Sequence, residues 1–242
     1  MREAGRIVAR VLEILKSRVR PGIRTEELDG IAAEEARRMG GRPSFKGYRG
    51  YPANLCVSVN DEIVHGIPGR RALQEGDIVS LDFGVIYQSY QGDAAITVGV
   101  GRITPEAERL IETTEGALRA GIAAARLGAR LGDISAAIEE YAESRGYSVV
   151  REYTGHGIGR DMHEDPQVPN TTMPGLGLQP GTGPELVRGM TLALEPMVNI
   201  GNWATKRDAD GWTVRTRDGS LSAHYENTIA ITDGEAEVLT SQ

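Results

Sequence analysis

"GDIVSLDFGV", residues 76–85, is a β-rich run that opens on a glycine and carries one acid, Asp82, six residues later. The pattern recurs once. "GMTLALEPMV", residues 189–198, also opens on a glycine and places Glu195 six residues on. Both runs are rich in residues that favour a pleated, half-buried surface, so both are read as strands. A second strand follows each of them, "DAAITVGV" at 93–100 and "NTIAITD" at 227–233.

The segments ahead of the two runs match as well. Ile7, Val8, Val11, Leu12 and Leu15 recur at helical spacing, "RPGIRTEELD" breaks that helix, and a second helix runs from about Thr25 to Gly40. After Pro105 come a helix around 110–125, the break "RLGARLGDIS", and a helix from about Asp133 to Gly146. Gly22 to Leu28 and Gly128 to Ile134 are both six apart, and each second helix ends in a glycine eighteen residues after its break. Together these coincidences indicate an internal duplication. The expected fold is α+β with pseudo-twofold halves at about 1–103 and 104–242. A curved, largely antiparallel sheet lies inside, helices lie outside, and a site sits where the halves meet. The segment 170–188, rich in Gly and Pro, reads as a surface loop.

Composition narrows the function. The chain has 242 residues, 40% of them apolar and 25% charged, as in ordinary globular proteins, and its length suits one domain. A net charge of −7 with no long basic run argues against nucleic acid as the main ligand. The first twenty residues carry charges throughout and have amphipathic spacing, so neither a signal peptide nor a membrane span is expected there. A cytoplasmic location follows from that reading. The single cysteine, Cys56, forms no internal disulfide.

The acids are the informative residues. Asp82 and Glu195 sit mid-run, Asp93 and Glu226 open two further strands, and no Lys or Arg occurs in the Asp82 or Glu195 segment to pair with them. Buried carboxylates are costly when unpaired. An interior ion-pair set remains one reading; the other is a divalent metal pair held by four acids and one or two imidazoles. "YTGHGIGRDMHEDP", residues 153–166, supplies two of the four histidines, His156 and His163. Gly155, Gly157 and Gly159 would let the backbone pass close to a packed site. A phosphate-cradling loop is the competing reading, but no Lys-Ser/Thr follows and Glu164 and Asp165 would repel an anion. Neither imidazole belongs to a zincin helix motif.

"NDEIVHGIP", "LDFGV", "GDAAIT", "GHGIGRDMHEDP", "LALEPMV" and "SLSAHYENTIAIT" resemble, in this order and at these spacings, type I methionine aminopeptidase, the bacterial enzyme of the pita-bread (creatinase/aminopeptidase) fold. The likeness spans nearly the whole chain as a single catalytic domain. It implies a dinuclear metal hydrolase that removes the initiator methionine from nascent chains when the second residue is small. It implies Asp82, Asp93, His156, Glu195 and Glu226 as ligands of two divalent ions of the Co, Mn, Fe, Ni or Zn class. Asp93 and Glu226 would be shared, Asp82 would serve one ion, and His156 with Glu195 the other. It further implies that His163 meets the scissile carbonyl, that His65 meets the scissile amide nitrogen, and that Glu195 carries the proton. Phe45, Tyr48, Tyr51, Cys56, Met162 and Trp212 would form the methionine socket. The implied partners are nascent N-termini near the ribosome, the implied state is a monomer, and a monovalent cation near Asn60 and Ser222 belongs to the same pattern. His224 is read as structural.

Two further readings compete with it: an Xaa-Pro aminopeptidase or dipeptidase of the same fold, and a non-catalytic pita-bread peptide-binding module. A cysteine nucleophile at Cys56 is disfavoured because "NLCVSVN" reads as a buried strand. The chain departs from the family in starting inside its first helix and in a longer 170–188 loop.

Overall fold

The apolar spacing at Ile7, Val8, Val11, Leu12 and Leu15 becomes the buried stripe of helix α1 (Arg2–Arg18) in a computed structural model of the chain, which describes residues 1–241. Helix α2 (Thr25–Arg38) follows, and α3 (Pro105–Ala124) and α4 (Leu131–Glu143) repeat the arrangement. The repetition extends to how the helices begin and end. The Arg24 N–H donates to the Glu27 carboxylate and the Arg130 N–H to the Asp133 carboxylate, each at 2.8 Å, which satisfies a donor that a helix start leaves free. The breaks at Gly22 and Gly128 and the stops at Gly40 and Gly146 all have positive φ, between 79° and 87°, where a Cβ would be strained.

The strand Ile78–Tyr87, which holds Asp82, pairs along its whole length with Tyr90–Gly99, which holds Asp93. Tyr90–Gly99 then pairs with Glu226–Ala230 from the second half, and that strand pairs with Thr191–Leu194 and through it with Thr154–Gly157. All the pairings are antiparallel, so the two halves share one continuous sheet. One sheet face packs Leu81, Phe83 and Val85 against α1 and α2. In the second half, Leu192, Leu194 and Ile229 pack with Leu110, Ala117, Ile134 and Ile138 of α3 and α4. The helices thus cover the outside and leave the other sheet face for the site.

One feature departs from the sequence reading and a second adds to it. "MTLALEPMV" is not one strand but two, Thr191–Leu194 and Met197–Asn199, and the second joins a separate small sheet with Ser222–His224. Pro196 has no N–H to continue the ladder, so the chain changes sheets there and Glu195 stands at the corner. The 170–188 segment is exposed at its middle, with Leu176 at 83% exposure, but it is anchored at both ends. Gly181 and Thr172 donate to Asp133 and Glu139, and carbonyls of Thr182 and Pro184 accept from Gly132 and Leu131, so the loop caps the start of α4. Among the described residues no helix is long and apolar enough to cross a membrane.

Candidate functional site

Strand register alone gathers the acids. Cross-strand partners share a face, and residues two apart along a strand share it too. Asp82 lies opposite Ala95, Glu226 lies opposite Ala95 from the other side, and Asp93 is two residues before Ala95. Extending the Asn227–Leu194 pair by one residue puts Glu195 beside Glu226, and His156 lies opposite Ala193, two residues before Glu195. Four carboxylates and one imidazole, from four strands and the corner that follows a fifth, therefore converge on the face away from the helices.

Asp93, His156 and Glu226 present ligand atoms within 4.8 Å of one another, and His156 Nε2 lies 3.6 Å from Glu195 Oε1. Oδ1 of Asp82, Oδ1 of Asp93 and Oε1 of Glu226 are buried and accept no hydrogen bond. Among the described residues no Lys or Arg pairs with any of the four acids. Burial raises the Asp82 carboxyl to about 7. Burial first, and then the neighbouring carboxylates, hold Asp93, Glu195 and Glu226 well above the carboxylate range. So much buried negative charge without a protein counterion fits a set of divalent cations, and oxygen donors with one imidazole suit hard to borderline ions.

The histidines are held in different ways. His156 Nδ1 donates to the Gly157 carbonyl at 2.8 Å, which leaves Nε2 as a lone pair facing the acids, the arrangement expected of a ligating imidazole. Its flanking glycines are required by packing. A Cβ at Gly155 would lie 2.3 Å from the Ala193 carbonyl oxygen, and one at Gly157 would lie 2.3 Å from that of Asp165. His163 stands beside His156, with ring centroids 4.1 Å apart, and its Nδ1 is 2.8 Å from the Tyr48 hydroxyl. Burial, with the charges of His156, Arg49 and His65, lowers His163 to about 3, so it is neutral at physiological pH. With the Tyr48 O–H donating to Nδ1, the remaining proton sits on Nε2, which can donate to a substrate. His65 has φ 60°, a left-handed conformation costly for a non-glycine residue, and burial lowers it to about 4.

Tyr48 was expected only in the socket; its bond to His163 gives it a second task that sequence spacing does not show. Tyr48→Phe should lower kcat/KM roughly tenfold, the loss of about one hydrogen bond, with metal content unchanged. Steady-state kinetics alongside metal analysis checks this, and an unchanged kcat/KM would count against it.

All five expected ligands, His65, His163 and the six socket residues line one cavity of about 130 Å³. Phe45, Tyr51 and Trp212 pack edge to face around it, with Phe45 also against Met162 at its wall. Cys56 is opposite Asp82 in register, and burial with that acid's charge pushes its thiol well up, which leaves no thiolate for a nucleophile. Two contributors escaped the sequence reading. Gly84 keeps the socket open, since a Cβ there would meet Phe45 and Met162 at 2.8 and 2.9 Å. Arg49, with φ 49°, lines the cavity mouth; in sequence it is one arginine among many. His224 is buried outside the cavity lining, and neither ring nitrogen has a partner among the described residues. Asn60 and Ser222 are brought together by a Ser222 N–H to Asn60 carbonyl bond of 2.9 Å, also outside the lining.

Residues 1–233 match the model of metallopeptidase family M24. The methionine aminopeptidase of Clostridium acetobutylicum is 51% identical over 241 residues, which covers 99% of this chain and 94% of that protein. Methionine aminopeptidase 1 of Bacillus subtilis is 51% identical over 240 residues, with the same coverage of 99% and 94%. The crystal structure of methionine aminopeptidase from Thermotoga maritima superposes with a TM-score of 0.96 at 44% identity, covering 100% of this chain and 95% of that one. Prolidase from Pyrococcus furiosus, at 20% identity and a TM-score of 0.78, shares the fold alone, and this chain covers 63% of it.

Proposed function

The chain belongs to metallopeptidase family M24 and is a methionine aminopeptidase, and from that premise we propose how its own residues bind and cut a substrate. The observation that carries the proposal is the buried, counterion-free set of four carboxylates and one imidazole at the floor of an aromatic and thioether-walled cavity. Asp82, Asp93, His156, Glu195 and Glu226 are the residues that would hold divalent cations there. Bound cations of this kind supply Lewis acidity, polarising the scissile carbonyl and making water a stronger acid.

The remaining steps belong to side chains. The methionine side chain enters the socket of Phe45, Tyr48, Tyr51, Cys56, Met162 and Trp212, where polarisable surface suits a thioether. Glu195 accepts the proton of the attacking water and delivers it to the leaving amine. His163 donates from Nε2–H to the carbonyl oxygen as charge develops on it, with Tyr48 fixing the tautomer from behind. His65 meets the scissile amide nitrogen. The natural substrates are the N-termini of newly made chains, and residues 1–242 act as one catalytic unit whose two halves both supply ligands.

The cavity is small, and the residue after methionine must lie against the scissile bond between His65 and His163. Bulky second residues are therefore excluded by clash. Rejection of this kind is repulsive, so it is expected to exceed the ~10-fold that a single methylene can supply at the low end. Methionine release from a Met-X-Ser series with Mn(II) or Co(II) should fall steeply from X = Ala to X = Arg, while Gly, Ala and Ser stay close together. Equal rates for Ala and Arg, or cleavage of Ala-Pro in preference to Met-Ala-Ser, would overturn this reading.

A further inference from the structure

Beyond the cavity lined by the candidate ligands lies a second, outer cleft of about 470 Å³ that shares Arg49, His65, His163, Glu195 and Trp212 with it. Because the inner cavity ends at those residues, the outer cleft is the open path for the chain that continues past the scissile bond. Its cations are Arg49 and Arg207. Neither guanidinium makes an ion pair among the described residues. Arg49 rests over the Tyr48 ring at 5.3 Å, and the only side-chain hydrogen bond of Arg207 among the described residues is a long one, 3.5 Å, to the Tyr153 hydroxyl.

The acids nearby make their contacts with groups other than these two arginines. Glu152, the one acid in the lining besides Glu195, accepts from the Thr205 hydroxyl. On the adjoining hairpin Asp208 pairs with Arg215, and Asp210 accepts from Thr213 and from the backbone at Trp212. Both free arginines act on the site itself: Arg207 is the charge that adds to burial in lowering His65, and Arg49 is among those lowering His163. A protein of net charge −7 thus leaves two unpaired guanidinium forks where the substrate chain exits.

We propose that Arg49 and Arg207 bind a carboxylate carried by the substrate beyond its second residue, so that chains with an acidic third or fourth residue, or short peptides with a free C-terminal carboxylate, are favoured. The inference rests on the methionine aminopeptidase reading and adds a selectivity to it. Guanidinium forks suit carboxylates through charge-assisted, bidentate hydrogen bonds. Both arginines are exposed, so the effect is modest and screened by salt. It acts equally on bound substrate and transition state, and therefore appears in KM more than in kcat.

The test compares C-terminally amidated Met-Ala-Glu, Met-Ala-Gln and Met-Ala-Lys with Met-Ala-Gln as the free acid, all on the Mn(II)-loaded enzyme. The expected result is a kcat/KM about fivefold higher for the Glu amide, the Gln free acid, or both, than for the Gln amide. The first gain reports side-chain recognition and the second reports the terminal carboxylate. The advantage should vanish at 0.5 M NaCl, collapse towards one in the Arg49→Gln/Arg207→Gln double variant, and turn towards Lys in Arg207→Glu. A ratio near one for both carboxylates in the unmodified enzyme, or a preference that survives in the double variant, overturns the proposal. Absence of methionine release from every peptide overturns the aminopeptidase reading itself, which separates the two failures.

Discussion

Asp93→Asn should abolish metal binding and methionine release together while leaving the fold intact. Asp93 sits in mid-sheet, and its backbone is fixed from both sides by Thr228, whose hydroxyl accepts from the Asp93 N–H at 3.0 Å and donates to its carbonyl at 2.8 Å. Those bonds do not involve the carboxylate, so the strand survives the change. The carboxylate itself is buried, has an unpartnered oxygen, and faces Asp82, Glu195 and Glu226 without a cation. Without metal, burial and the neighbouring Asp82 hold this carboxyl well above the carboxylate range, so a neutral amide of the same shape replaces it at little cost and the metal-free variant should melt no lower than metal-free enzyme, whereas the unmodified enzyme alone should gain stability when Mn(II) is added. Activity should fall more than ~100-fold, since loss of an outer-shell partner of a metal site alone costs 10–100-fold. Metal analysis, thermal melts and peptide turnover are the measurements; full turnover without bound metal would sink the assignment.

His163→Ala should lower kcat/KM by on the order of 10²-fold or more, the usual loss when a donor to a developing oxyanion is removed. Metal stoichiometry should not change. The distinction rests on geometry: His156 directs Nε2 at the acids, whereas His163 is tied through Nδ1 to Tyr48 and faces both the inner cavity and the outer cleft. Removing the ring leaves the carboxylate floor untouched. A parallel loss of metal would make His163 a ligand and overturn its role, and an unchanged rate would remove it from the mechanism.

Much of the architecture was legible because it is encoded by local rules. Gly22, Gly40, Gly128 and Gly146 mark helix breaks and stops whose positive φ only glycine adopts freely, and Glu27 and Asp133 mark helix starts. The repeated spacing of these signals, together with Gly76–Asp82 and Gly189–Glu195, is the mark in the sequence of two related halves. The acids stood out for a similar reason, since a carboxylate inside an apolar strand demands a partner and none was near in sequence.

What the sequence by itself determined, then, was the element order, the duplication, and the residue types able to hold cations. Tertiary structure decided which of them meet. Asp82, Asp93, Glu226, Glu195 and His156 share a face only because the strand at 226–230 pairs with one half on one side and the other half on the other, and the pairing of Glu226 with Ala95 sets a register between residues more than a hundred positions apart. The corner at Pro196, the Tyr48 bond to His163, the room left by Gly84 and the unpaired Arg49 and Arg207 likewise depend on long-range packing. Periodicity reports which side of a strand or helix is buried; it carries no record of the neighbour that buries it.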